Sequence, residues 1–113
     1  MSLATELKQF TGTENWYKHP LSAMLYTDGV KHFAEAAGAY WFVDTMAFVV
    51  YPLSQKEGMA AITLTVANDE ADITVTDGDE SVLWAEHITY TDCPEGTYEF
   101  FLYDGVLLLR TEY

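Results

Sequence analysis

Carboxylates are the side chains of this sequence best suited to do chemistry, and many of them fall within residues 69–80. Ionised carboxylates accept hydrogen bonds, hold Ca²⁺ and attract lysine and arginine. The run Asp77-Gly78-Asp79-Glu80 begins like a calcium loop, but the twelfth position counted from Asp77 is Ile88 instead of the closing glutamate. We interpret the run as an acidic turn. We expect six carboxylates to form a surface for a cationic partner: Asp69, Glu70, Asp72, Asp77, Asp79 and Glu80.

Six other residues are of types that act in catalysis or metal binding: Asp44, Cys93, His32, Glu35, His19 and His87. Asp44 lies in the most apolar segment, where a carboxylate is either a hydrogen-bonded structural group or a base with a raised pKa. Cys93 stands among carboxylates that disfavour the thiolate, so we expect an inert thiol. His32 and Glu35 have a metal-binding i, i+3 spacing, but no second such pair exists. His19 and His87 have no evident partner. We therefore predict no catalytic residue, no metal site and no cofactor.

The charge of the chain is strongly negative and unevenly distributed. Its 113 residues have a formal net charge of −13. Residues 1–56 contain five acidic and four basic residues, whereas residues 57–113 contain thirteen acidic residues and one base, Arg110. Such a surface repels phosphates, which excludes direct binding to nucleic acid. Half of the residues are hydrophobic, which excludes a disordered chain, and the short length indicates a single domain over residues 1–113.

The first half, residues 1–56, has a mainly helical pattern. Apolar residues at i, i+4 and i+7 predict a short amphipathic helix over residues 3–10, and residues 24–26 are expected to be extended. A second helix is predicted over residues 27–38, with a Thr or Asp cap and a final glycine. Residues 39–51 are ambiguous, because their aromatic and β-branched residues favour a strand whereas their length favours a helix. We predict a helix that Pro52 ends.

The second half, residues 57–113, alternates between apolar and polar residues, which is the period of a strand. Asp104-Gly105 has the composition of a type I′ hairpin turn. The fold class predicted is α+β, with N-terminal helices packed on a five-stranded antiparallel meander sheet. The predicted strands cover residues 62–66, 71–76, 82–90, 98–103 and 106–109.

A meander sorts these acids in space, because successive turns fall at opposite ends of the sheet. Asp69 and Glu70 are expected at one end, and the run from Asp77 to Glu80 at the other, with Asp72 on the strand between them. The last two strands are apolar on both faces, so we expect both faces to be covered. A homodimer would provide the second cover.

Three features of the sequence indicate the cellular compartment. A single cysteine permits no internal disulfide, which favours the reducing cytoplasm. The N-terminus lacks the pattern of a secretory signal. The most apolar run, residues 39–53, is interrupted by Asp44 and is shorter than the ~20 residues that span a bilayer. We expect a soluble cytoplasmic protein with no membrane partner.

Three segments carry a family resemblance: YTDGVKHFAEAAGAYWFVD, ITYTDCP and LYDGVLLLRTEY. Together they resemble a family of small uncharacterised bacterial proteins, a domain of unknown function carried on prophages, plasmids and mobile elements. The family continues after the equivalent of Asp44 with polar residues including a histidine, whereas residues 45–50 here are mostly apolar, so no role for such a histidine carries over. The resemblance implies a mobile-element setting and no assigned activity.

Charge and resemblance together suggest a function. Small acidic proteins of mobile elements often block host restriction or CRISPR systems. We therefore expect a non-enzymatic acidic inhibitor, or nucleic-acid mimic, that binds the basic groove of a host nucleic-acid-binding protein, such as a CRISPR or restriction component. The alternative is a dimeric structural or assembly module that is acidic only for solubility.

Overall fold

The structure is a computed structural model that describes residues 2–79 and 81–113, and it combines helices with one sheet. The helices are α1 (Leu3–Glu6), α2 (Asp28–Ala37), α3 (Tyr40–Thr45) and α4 (Tyr51–Glu57), with a π-helix at Met46–Val50 and 3₁₀ turns at Leu7–Gln9 and Arg110–Glu112. The strands are β1 (Trp16–Lys18), β2 (Leu25–Thr27), β3 (Met59–Ala67), β4 (Glu70–Thr76), β5 (Val82–Ile88), β6 (Gly96–Tyr103) and β7 (Val106–Leu109).

The sheet is mixed and has the strand order β1-β2-β7-β6-β3-β4-β5. Strands β2 and β7 run parallel, and the other neighbouring pairs are antiparallel. The predicted α+β class is confirmed, but the five-stranded antiparallel meander is wrong. Strand β6 pairs with β3 instead of β5, so strands β3 to β6 form a Greek key. Strands β1 and β2 extend the sheet from the half that was predicted to be mainly helical.

The Greek key depends on residues 89–95, which pass across one end of the sheet. The Thr91 N–H donates to the Asp69 carbonyl at 2.8 Å, and the Asn68 N–H donates to Glu95 Oε1 at 3.0 Å. These bonds hold the connection against the β3–β4 turn and deliver β6 to the far side of β3. The Asp104-Gly105 turn is confirmed, since both residues have positive φ angles, 52° and 78°.

The core lies between the helices and one face of the sheet. Phe33 of α2 and Phe42 of α3 meet Tyr98 and Phe100 of β6, with ring centroids 4.8 to 5.8 Å apart. The alternate residues of the strands form the opposite face, which is open and rich in threonine. On that face Tyr113 contacts Phe101, so the chain itself supplies part of the second cover expected for the last two strands.

The apolar helix predicted to end before Pro52 continues to Glu57. The Tyr51 N–H donates to the Met46 carbonyl, five residues back, which is the hydrogen bond of a π-helix. Pro52 then falls in the first turn of α4, where a missing N–H costs little. The wider π turn therefore lets the helix accommodate the proline.

Glu112 fastens the C-terminal segment to the start of α2. Its Oε1 accepts hydrogen bonds from Thr27 Oγ1 at 2.6 Å and the Leu109 N–H at 2.9 Å, and its Oε2 accepts one from the Gly29 N–H at 3.1 Å. A carboxylate at a helix N-terminus is also favoured by the helix dipole. Glycine at position 29 permits this close approach, because a Cβ there would lie 2.6 Å from Leu109 Cδ1 and 2.7 Å from Glu112 Oε1.

We expect Glu112→Ala to lower the free energy of unfolding by about 1–3 kcal/mol, because the buried Thr27 hydroxyl and two backbone N–H groups lose their acceptor. Chemical denaturation measures the change. Thr111→Ala, at the exposed neighbouring position, is the control and should change it by less than about 0.5 kcal/mol. Equal effects of the two substitutions would contradict the role given to Glu112.

Candidate functional site

Strand β4 separates the predicted carboxylates into two groups. Asp69 and Glu70 lie at the β3–β4 turn, with Asp72 two residues further along β4. Asp77 and Asp79 lie in the loop at the other end, roughly 20 Å away at a rise of about 3.3 Å per residue. The sorting of turns to opposite ends therefore matches the structure, although the meander does not. Glu80 lies outside the described residues.

Asp69 and Asp79 are the freest members of the set. Both are exposed, and neither carboxylate accepts a hydrogen bond from another described residue. Asp69 has a left-handed φ of 62°, which the short Asn68-Asp69 turn requires and which aspartate tolerates. These two side chains are therefore available to an approaching cation.

Asp77 has a structural role instead. Its Oδ1 accepts hydrogen bonds from the backbone N–H groups of Asp79 at 2.8 Å and Ser81 at 3.3 Å. A carboxylate that bonds the backbone two residues on forms an Asx turn. Asp77 thus organises the loop that presents Asp79, in agreement with the interpretation of this run as a turn.

His87 connects Glu70 and Asp72, a contact that no spacing in the sequence indicates. Asp72 lies directly opposite His87 in the β4–β5 register, and Glu70 lies two residues before Asp72 on the same face. The ring nitrogens Nδ1 and Nε2 lie 2.7 Å from Asp72 Oδ1 and Glu70 Oε1, respectively. Both nitrogens donate only in the imidazolium form, so the hydrogen bonds to Asp72 and then Glu70 raise the pKa of His87.

We expect the His87 contact to make stability depend on pH. A histidine whose folded pKa is raised contributes stability below its unfolded pKa of about 6.5, and loses it as pH rises through the folded value. The contribution is small, because the three side chains are about half exposed or more. The difference in melting temperature between the wild type and His87→Gln should therefore shrink from pH 6 to pH 9. A difference that grows over that range would contradict the assignment.

Two further acids at the β3–β4 end of the sheet accept hydrogen bonds from neutral donors. Glu95 accepts from the Asn68 N–H, and Asp92 Oδ1 accepts from the Tyr90 hydroxyl at 2.7 Å. Arg110, the one base of residues 57–113, forms an ion pair with Glu99 on β6. Within the described residues, no lysine or arginine is therefore ion-paired with the predicted carboxylates.

Asp44 belongs to a second histidine–carboxylate pair. The buried His19 donates from Nε2 to Asp44 Oδ1 at 2.7 Å, while its Nδ1 accepts from the Leu21 N–H at 3.1 Å. The backbone bond fixes the tautomer, and both ring nitrogens are engaged. This pair therefore connects the loop after β1 to α3 and has a structural role.

We expect Asp44→Ala to lower the free energy of unfolding by about 1–3 kcal/mol, because the buried His19 N–H loses its acceptor. Denaturant unfolding gives the value, and Asp44→Asn, which keeps an acceptor oxygen, should recover part of the loss. Glu35→Ala, at an exposed position of α2, is the control and should stay within about 0.5 kcal/mol of the wild type. A wild-type stability for Asp44→Ala would argue against the structural role.

Cys93 is buried, and two concavities open on the surface of the protein. Burial raises the pKa of the Cys93 thiol to about 11. From the sequence, we expected nearby carboxylates to be the cause. One concavity, of about 220 Å³, lies between α1 and β6, and the other, of about 360 Å³, lies on the open face beside Phe101. Within the described part of the chain, no three His, Cys, Asp or Glu side chains are grouped as metal ligands.

The fold and this surface define a class of protein. It is a small α+β protein with a mixed sheet covered by helices on one face and with an acidic edge formed by β4 and β5. The family profile of DUF6876, described as a family of unknown function, matches residues 1–113, so the chain belongs to that family. The resemblance to a family of unknown function is thereby confirmed, while its bacterial and mobile-element setting stays a prediction. No curated protein and no solved structure matches the chain.

In the parts of the chain that the structure describes, every helix is too short or too polar to cross a membrane.

Proposed function

We propose that this protein is a non-enzymatic acidic inhibitor that binds the basic groove of a nucleic-acid-binding protein. The observation that carries the proposal is the charge imbalance of residues 57–113. This segment contains thirteen acidic residues and one arginine, which is already paired with Glu99. Asp69 and Asp79, at opposite ends of β4, therefore have no lysine or arginine partner among the described residues and can contact an external cation. Asp69 and Asp79 are the principal contacts, and Glu70 and Asp72 contribute alongside His87.

Electrostatic attraction is the mechanism of this binding. An acidic surface speeds the encounter with a basic groove, and the effect weakens as salt screens the charges. Because the acidic turns lie at both ends of β4, the negative potential extends along the edge of the sheet. This arrangement suits an elongated groove of the kind that normally holds a nucleic-acid backbone.

The absence of an enzymatic role is part of the proposal and is supported by the described side chains. Both ring nitrogens of His19 are already hydrogen-bonded, and the Cys93 thiol is buried and protonated at neutral pH. We place the protein in the cytoplasm of a bacterium that carries a mobile element. A CRISPR or restriction component is the proposed target.

One observation favours a second function, a dimeric assembly module. On the open face, Val106, Leu108 and Phe101 remain only partly buried beside Tyr113. A second copy could cover them, in which case the charge would serve only solubility. Light scattering distinguishes the two, because a dimer held by this face would keep its affinity at high salt.

We expect the double variant Asp69→Asn and Asp79→Asn to bind a target effector at least fivefold more weakly than the wild type, because it removes the two carboxylates proposed as the principal contacts. The matched control, Glu14→Gln with Glu35→Gln, changes the net charge equally on exposed residues of the other half and should bind within twofold of the wild type. Fluorescence anisotropy with a purified effector gives the dissociation constants at 50 and 300 mM salt.

Competition with DNA for the same effector completes this experiment. We expect the wild type to displace labelled DNA from the groove and to lose affinity at the higher salt. A dissociation constant that is the same at 50 and 300 mM salt would count against the proposal. So would an effector that binds this protein and DNA at the same time. Equal weakening by both double variants would show that only net charge matters and would remove the assignment of Asp69 and Asp79.

A further inference from the structure

We propose that His87 makes the acidic surface responsive to pH, weakening it towards cations in acid and strengthening it above neutrality. This inference rests on the proposed function, because it concerns the regulation of the same surface. It starts from the position of the ring, which the β4–β5 register holds between two of the carboxylates that face a partner.

The geometry requires a doubly protonated ring. Asp72 Oδ1 and Glu70 Oε1 each lie 2.7 Å from a ring nitrogen, and ionised carboxylates only accept hydrogen bonds. A neutral imidazole has one N–H, so its other nitrogen would face a carboxylate oxygen with two lone pairs opposed. Loss of the proton therefore breaks one of the two contacts.

Two changes in the surface follow from that deprotonation. The three side chains together go from a net charge of −1 to −2, and one of the carboxylates becomes free to accept from another donor. Both changes favour a lysine or arginine of a partner. The side chains are about half exposed or more, so a partner can reach them without opening the fold.

The charged groups that face His87 are few. Glu70 and Asp72 come from β4, the strand that pairs with β5. Glu86 is adjacent on β5 but lies on the opposite face of the sheet, since strand residues alternate. Asp69, in the β3–β4 turn, makes no hydrogen bond to the His87 ring. The titration is therefore governed by the two carboxylates that the ring contacts.

Thermodynamic linkage extends the same argument to the bound state. If deprotonation of His87 strengthens the binding of a cation, then binding of a cation must lower the pKa of His87 by the same free energy. The imidazolium thus behaves as an internal competitor for the cationic side chain of the partner.

An octa-arginine peptide is a suitable probe, because it supplies the cationic chemistry without a natural partner. Its dissociation constant is measured at pH 5.5 and pH 8.0, at a constant low ionic strength, for the wild type, His87→Gln and His32→Gln. His32→Gln is the control. His32 is hydrogen-bonded to a carboxylate too, that of Glu6, but it lies on α2, away from β4. Circular dichroism verifies that each variant is folded.

We expect the gain in affinity from pH 5.5 to pH 8.0 to be about two- to fivefold larger in the wild type than in His87→Gln, the size of one exposed ion pair. His32→Gln should keep the wild-type gain. In an NMR titration, the His87 pKa should lie above about 6.5 and should fall when the peptide is added.

The two proposals fail in different ways. Binding that is unaffected by Asp69→Asn with Asp79→Asn would overturn the proposed function. A wild-type gain retained by His87→Gln would overturn the role of His87 while leaving the acidic surface intact. A His87 pKa at or below about 6.5 in the free protein would overturn it without reference to any partner.

Discussion

The contact between the Glu112 carboxylate and the start of α2 joins the two halves of this chain. It lies beside the parallel pairing of β2 with β7, which is the seam between the N-terminal strands and the acidic strands. Gly29 allows this approach because any side chain there would meet Leu109 and Glu112. This seam acts together with the packing of Phe33 and Phe42 on β6, which also holds the helices of the first half against the sheet of the second half.

Local sequence patterns predicted most of the elements but not how they pair. The five strands predicted in residues 57–113 are present, although β7 also pairs in parallel with β2; alternation of apolar and polar residues marks β3 and β4, and the Asp104-Gly105 turn marks β6 and β7. The Greek key was missed because the pairing of β6 with β3 joins residues far apart in the sequence, from Val66 with Gly96 to Met59 with Tyr103, and no local pattern marks it. The three residues of β1 are too few to show a period, and Pro52 is tolerated because of a π turn that no residue pattern marks.

The candidate surface was predictable to a similar extent. That carboxylates in turns would be exposed follows from residue type, and Asp69 and Asp79 are exposed. The position of His87 between Glu70 and Asp72 depends on strand register, which the sequence leaves open. The pairing of His19 with Asp44 joins residues 25 positions apart, and no local spacing indicates it. What was missed in each case is a contact made by tertiary structure.

The order of the strands turns the uneven composition of the chain into an electrical asymmetry. Strands β1 and β2, from the nearly neutral first half, form one border of the sheet, and β4 and β5, with their carboxylates, form the other. Across seven strands spaced about 4.8 Å apart, this separation gives the molecule a permanent dipole moment. A positively charged surface therefore exerts a torque on the protein before the two touch. The torque turns the β5 border towards that surface and leaves the β1 border facing solvent.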